Sequence, residues 1–265
     1  MRITLKRHAL LYCAAGALFL AGTLQAGLVS TVNSSGQFID LSQSFGCSNA
    51  GATTASCGVS AGVDAYHDAS GSYQANAQYG SLDTTSMSYV YDTTNGGPGI
   101  LEGTSSASFS DTFLLTGGIG SGTLVFVTEY GGYGRGESCD TGACQFNSTV
   151  ALNTFSFHPN GNFYLPINLS FSFSFGTPFN LNGSVSAYSS AEGYELATQT
   201  AHLKIDAVEV LNSDGALITN YAVTSGSGAA YPFVTPEPGT FALVIAALIA
   251  LPIIRRKSIS ACRTN

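Results

Sequence analysis

From Leu28 to Val234 apolar and polar residues alternate with a period of two, and no stretch sustains the 3.6-residue period of a long amphipathic helix. The clearest segment is Leu169-Ser170-Phe171-Ser172-Phe173-Ser174-Phe175, where every apolar side chain falls on one face of a strand and every serine on the other. Similar alternation runs through Val59 to Ala65, Leu124 to Thr128 and Leu203 to Val210. Turn chemistry separates these runs: Asn95-Gly96-Gly97-Pro98, Gly117-Gly118, Asn160-Gly161-Asn162 and Asn212-Ser213-Asp214-Gly215. Gly117 to Gly122 reads as a hairpin connection, since it lacks the lysine and following helix of a phosphate loop. Many short strands without crossover helices predict an all-β body, a two-sheet sandwich of jelly-roll-like type.

The two ends break this pattern. Residues 1–26 combine a basic start (Arg2, Lys6, Arg7), an apolar stretch from Ala9 to Ala21 and a small residue, Ala26, before Gly27, which is the layout of a cleaved signal peptide. After a body spanning 27–234, Thr235-Pro236-Glu237-Pro238-Gly239 leads into an apolar run, 240–254, followed by Arg255-Arg256-Lys257 and a polar tail, 258–265. The prolines forbid regular pairing and leave extended, accessible backbone. The run is short against the roughly 20 residues that cross a bilayer core comfortably. The basic cluster favours a cytoplasmic end, with the body outside.

This tripartite end resembles the PEP-CTERM sorting signal, a signature also labelled the C-terminal domain of ice-binding proteins. The resemblance implies a membrane helix, recognition by an exosortase at Pro236, Glu237 and Pro238, loss of the tail, and an orienting role for Arg255, Arg256 and Lys257. The processing partners expected are signal peptidase, from the layout of residues 1–26, and the exosortase that the resemblance implies. The segment from Phe175 to Tyr231 also looks like the bodies of other PEP-CTERM proteins, which implies no catalytic residues. The expected route is through the inner membrane to the cell surface or extracellular matrix.

Charge sharpens the picture. The chain's net charge is −7, but seven of its nine basic residues lie in the terminal segments. The body sets Arg135 and Lys204 against 15 acidic residues, a net of −13. So negative a surface repels phosphate backbones, which argues against nucleic-acid binding. Four of the six cysteines lie in the body: Cys47, Cys57, Cys139 and Cys144. In an exported chain they read as disulfides, and the local pairing, Cys47 with Cys57 and Cys139 with Cys144, closes two short loops. Zinc is the rival, but neither pair has C-x-x-C spacing and no histidine lies close by in sequence.

Candidate chemistry is sparse. Gly58-Val59-Ser60-Ala61-Gly62 fits the nucleophile-elbow pattern, yet a strand pattern follows Ser60 where a helix is required. Asp140-Thr141-Gly142 has no second copy with which to pair carboxylates, and its flanking cysteines make it a turn. His67, His158 and His202 are scattered singly. Asp64, Asp68, Glu192, Glu195, Asp206 and Glu209 would supply calcium oxygens if loops gathered them, but no EF-hand or nonapeptide repeat is present. The N-x-S/T sites at Asn33, Asn147, Asn168 and Asn182 indicate exposure at most. No cofactor or metal site is implied, and no repeated T-x-T array of the kind ice binding needs is found.

Three functional classes remain. The first is a non-enzymatic surface or exopolysaccharide-matrix protein of structural or adhesive role. The second is a carbohydrate-binding module using Tyr130, Tyr133 and Tyr164 as stacking platforms, although the chain has no tryptophan. The third, a secreted hydrolase, requires a histidine beside Ser60.

Overall fold

The computed structural model describes residues 26–38, 43–64, 67–92, 99–137, 144–218 and 220–234. Residues 1–25 of the expected signal, the sorting signal and tail from 235 onward, Asn95 to Pro98 and Asp140 to Gly142 lie outside them. Among the described residues no helix is long and apolar enough to cross a membrane.

Among the described residues the body is all-β, with thirteen strands: β1 (Gly27–Phe38), β2 (Gln43–Gly51), β3 (Thr54–Asp64), β4 (His67–Gln78), β5 (Ser81–Asp92), β6 (Gly99–Thr116), β7 (Ser121–Glu137), β8 (Gln145–Leu152), β9 (Phe155–Phe157), β10 (Phe163–Ser174), β11 (Pro178–Glu192), β12 (Tyr194–Asn212) and β13 (Ala222–Ser225). They form two antiparallel sheets packed as a sandwich. Sheet I has the order β2-β1-β6-β11-β8-β9, with β13 paired to β6 beyond the end of β1, and sheet II has the order β10-β7-β12-β5-β4-β3. From β5 onward the chain alternates between sheets except at the β8–β9 hairpin, and the pairs nest, β5 with β12, β6 with β11, β7 with β10 and β8 with β9, with β7 also beside β12 and β8 beside β11. The Gly117 to Gly120 connection therefore arches from sheet I to sheet II. The hairpin expected there does not form, because β6 and β7 belong to opposite layers.

The period-two strands lie where the sequence placed them. In β10, Leu169 and Phe173 are buried while Asn168, Ser170, Ser172 and Ser174 are exposed. In β12, the adjacent apolar pair Ala207-Val208 marks a bulge: the register shifts between Ile205 and Ala207, returning Val208 and Val210 to the core.

The interior changes character along the strands. One end is aromatic and aliphatic, with Phe109, Phe113, Leu115, Leu124, Phe126, Leu181 and Val210 buried. The other is built from small and hydroxylic residues around one ring. Tyr73 is fully buried, and its hydroxyl bonds Ser88 Oγ (2.8 Å); Ser88 and Ser86 each bond Ser189 Oγ (2.9 and 2.8 Å), and Ser86 donates to the Gly103 carbonyl (2.8 Å). Because Gly103 and Ser189 belong to sheet I, this chain of hydrogen bonds ties the two layers together. Gly103 is required by contact: a Cβ there would lie 2.0 Å from the Tyr73 ring.

The Cys47–Cys57 disulfide links β2 to β3, and so joins an edge of sheet I to an edge of sheet II. Cys144 is also disulfide-bonded. Its expected partner, Cys139, lies outside the described residues.

Candidate functional site

The outer face of sheet II carries the most chemically varied surface. Antiparallel register aligns Tyr164 (β10), Gly131 (β7), His202 (β12), Asp83 (β5) and Asn76 (β4) in one transverse row. The next row holds Tyr133, Thr200, Thr85 and Gln74, and the row on the other side Pro166, Glu129, Lys204 and Ser81. Strand alternation turns all these side chains away from the core.

Gly131 shapes the centre of this surface. A Cβ there would lie 2.2 Å from the His202 ring, so the imidazole reaches over β7 only because that position has no side chain. His202 Nε2 is 3.3 Å from Glu129 Oε1, which fixes the ring in place. Tyr164, opposite Gly131, and Tyr133, two residues along β7, flank this saddle and are 65% and 42% exposed. Thr200 Oγ1 accepts the backbone N–H of Tyr133 at 2.9 Å, which adds a side-chain bond to the β7–β12 pairing at this point. Both basic residues of the body belong to this face, and each is paired: Arg135 with Glu137, and Lys204 with Asp206 at 2.6 Å. The Lys204 pKa is held above its ordinary value, chiefly by the hydrogen bond and charge of Asp206. The surface thus offers two phenol rings among hydroxyl, amide, imidazole and carboxylate groups, with both of its cations paired.

Of the three tyrosines expected as platforms, Tyr133 and Tyr164 occupy this surface, but Tyr130 does not. It points inward, is fully buried, and packs against Phe155 with ring centroids 5.3 Å apart. Burial pushes its hydroxyl pKa up to about 12. Strand alternation explains the split, because Tyr130 and Tyr133 differ by an odd number of residues and must take opposite faces. Sequence reasoning missed His202 and Gly131 as parts of the surface; the signal was the run Gly131-Gly132-Tyr133-Gly134, which leaves room for rings to lie across the strand.

The other candidates do not converge. Ser60 is exposed on the outer face of edge strand β3, whereas His67 is buried on the inner face of β4. His202 shares Ser60's face but lies three strands away, about 14 Å in the pairing direction alone. His158 follows β9, beside the other sheet. Asp68 and Asp206 are exposed on separate strands, Glu195 is buried on β12, and among the described residues no three His, Cys, Asp or Glu side chains gather as a metal site. Cys47 and Cys57, weighed as zinc ligands, are instead bonded to each other.

No family model, curated protein or solved structure matches this chain. The functional reading therefore rests on its own residues. Besides the surface on sheet II, those residues provide a second polar one on sheet I, where Thr31, Ser106, Ser186 and Thr149 align across four strands and Asn33, Thr104, Tyr188 and Asn147 align beside them.

Proposed function

We propose that the chain is an exported, non-catalytic protein of the cell surface or exopolysaccharide matrix, whose sandwich serves structure or adhesion. The observation that carries this reading is the character of both outer faces: broad antiparallel sheets tiled with serine, threonine, asparagine and tyrosine, with both cations of the body paired to carboxylates and the remaining charge acidic. Such faces bind by many hydrogen bonds over an extended area and suit a hydroxyl-rich matrix. The Cys47–Cys57 disulfide supports an oxidising, extracytoplasmic setting. The nested pairing of β5 through β12, first strand with last, supports the finer description of the body as jelly-roll-like.

In this reading residues 1–26 direct export, the apolar run 240–254 holds the chain in the inner membrane, and an exosortase acts at Pro236-Glu237-Pro238. Replacing that tripeptide by three alanines leaves the apolar run and the basic cluster intact. The variant accumulates in the inner membrane at full post-signal length, whereas the wild type reaches the surface without its tail. Fractionation with mass spectrometry of the mature C-terminus tests this; an intact Asn265 on the wild-type surface protein refutes it.

One observation favours a second reading, a carbohydrate-binding module: Tyr133 and Tyr164 stand exposed on either side of the His202 saddle. Affinity electrophoresis in gels containing neutral polysaccharides tests it through the double variant Tyr133→Ala/Tyr164→Ala. The wild type is retarded and the variant is not; equal mobility of the two dismisses the platform.

A further inference from the structure

A sandwich leaves sheet edges, and exposed edges are normally blunted by shortness, charge, irregularity or cover. Three of the four edges here follow that rule. β9 has only three residues, and Ser148 of the neighbouring β8 is bonded through both its N–H and its hydroxyl to the Pro159 carbonyl (3.2 and 3.1 Å). On β2, the Asn49 side chain accepts the Ala50 N–H (2.8 Å) and donates to the Ser56 carbonyl (3.0 Å), and the disulfide ties the strand to β3. β3 ends in a register irregularity between Gly62 and Asp64. β10 has none of these devices over its second half. It is twelve residues long, has no charged residue, pairs with β7 without a register break, and has no strand on its other side among the described residues.

Which backbone groups face that open edge follows from two hydrogen bonds. Phe175 N–H donates to the Gly120 carbonyl (3.0 Å) and the Ile167 carbonyl accepts from Thr128 Oγ1 (2.8 Å), so odd-numbered residues of β10 turn their backbone groups toward β7. Even-numbered residues turn theirs outward: Tyr164, Pro166, Asn168, Ser170, Ser172 and Ser174. Along the underside of the same strand Leu165, Ile167 and Phe171 are only partly buried, because the facing edge of sheet I is the short β9.

We propose that this edge is a self-association surface, on which β10 of a second copy pairs antiparallel about a two-fold axis through Ser170. In that register Ser170 faces its own copy, Asn168 faces Ser172, Leu169 faces Phe171, and Pro166 faces Ser174. The last pair is what selects a second copy over an arbitrary strand. Proline cannot donate, and the group its missing N–H would have met, the Ser174 carbonyl, already accepts the Thr177 N–H at 3.1 Å. Every free outward donor and acceptor between Pro166 and Ser174 then has a partner in the other copy, and the apolar undersides of the two strands run on from one to the other. Such a two-fold interface is closed and yields a dimer. The inference goes beyond the export reading and does not depend on it.

The test uses the full chain in mild detergent, which occupies its apolar ends, followed by analytical ultracentrifugation over a concentration series. Wild type sediments at twice the chain mass as concentration rises. Ser170→Pro removes an outward N–H that no bond among the described residues uses, so it returns the protein to monomer mass while the far-ultraviolet circular dichroism stays that of the wild type. Ser170→Lys, which puts a charge on the edge without touching the backbone, gives the same loss and decides the matter if the proline variant misfolds. A wild type that stays monomeric at its highest soluble concentration overturns the proposal, as does a dimer that survives in a folded Ser170→Pro or Ser170→Lys protein.

Discussion

Replacing Cys47 and Cys57 together by alanine tests how the two sheets are held at their open side. The two cysteines are ten residues apart and belong to strands of different sheets, so the bond closes a short loop while bridging the layers. In the chain-entropy account, a loop of about 11 residues restricts the unfolded ensemble by about 9 cal/mol/K, or about 3 kcal/mol at room temperature. For a body of this size that corresponds to a fall in Tm of roughly 6–12 °C. Substitution is required because a reductant would also open the disulfide that holds Cys144. Differential scanning calorimetry at neutral pH reads the shift, and native-state proteolysis reports whether cleavage begins between β2 and β3. A Tm lowered by less than about 2 °C would refute the reasoning, because it would mean that this edge opens without involving the cooperative core.

Two further perturbations probe the interior. Burial raises the pKa of the Tyr73 and Tyr130 hydroxyls to about 12, and burial together with the neighbouring Asp111 carboxylate raises that of Tyr231. Because the folded-state values lie above the unfolded value near 10, their contribution is complete below about pH 10 and is lost as pH climbs through 12, by up to about 1.4 kcal/mol per pH unit for each tyrosine. Urea titrations across that range, with tyrosinate absorbance as a second readout, check it; tyrosines that all ionise near 10 with stability unchanged exclude it. Asp111 is fully buried and accepts the Thr112 N–H (2.8 Å), the Ser227 N–H (3.0 Å) and the Ser227 hydroxyl. Asp111→Ala strands those donors and costs about 3 kcal/mol in urea unfolding, with the 225–229 loop becoming the first protease site; a loss below 1 kcal/mol, or no new cleavage in that loop, would contradict this role.

How far the fold could be read from the sequence depended on which face held the larger side chains. β10 was legible because its phenylalanines and leucines all take one face and its serines the other, leaving burial only one choice. β5 was not. Its inner face carries Leu82, Thr84, Ser86, Ser88 and Val90, while Met87, Tyr89 and Tyr91 point outward. A reading by hydrophobicity puts the latter three inside. The inversion arises because Tyr73, from the next strand, already fills the space and needs hydroxyl partners, which only small serines on the facing positions supply. Pairing between sheets escaped the pattern altogether. The Gly117 to Gly122 turn looks the same in sequence whether it closes a hairpin or arches between layers, since the choice is made by contacts of β6 with β1 and β11 and of β7 with β12. The site was half legible: aromatic residues flagged it, but only register reveals that Tyr133 and Tyr164 share a face with His202 and that Tyr130 does not.

The inversion in β5 also explains why so much aromatic surface is turned outward. Because the interior near Tyr73 is filled by alanine, serine and one ring, the larger residues of the adjoining strands are excluded from it and collect outside: Tyr91 meets Tyr194 edge-on at 5.0 Å on the outer face of sheet II, the face that also presents Tyr133 and Tyr164. At the other end of the sandwich the balance is reversed, with Phe126, Phe171 and Phe179 packed together under β10 and serines outside. The two ends are therefore suited to different contacts. Exposed rings on a hydrogen-bonding sheet favour a hydroxyl-rich polymer, whereas an uncharged edge over half-covered phenylalanines favours another strand. On the two proposals together, a single chain would hold a matrix component on one part of its surface and a second copy of itself on another, which is the arrangement that cross-links a matrix rather than merely coating it.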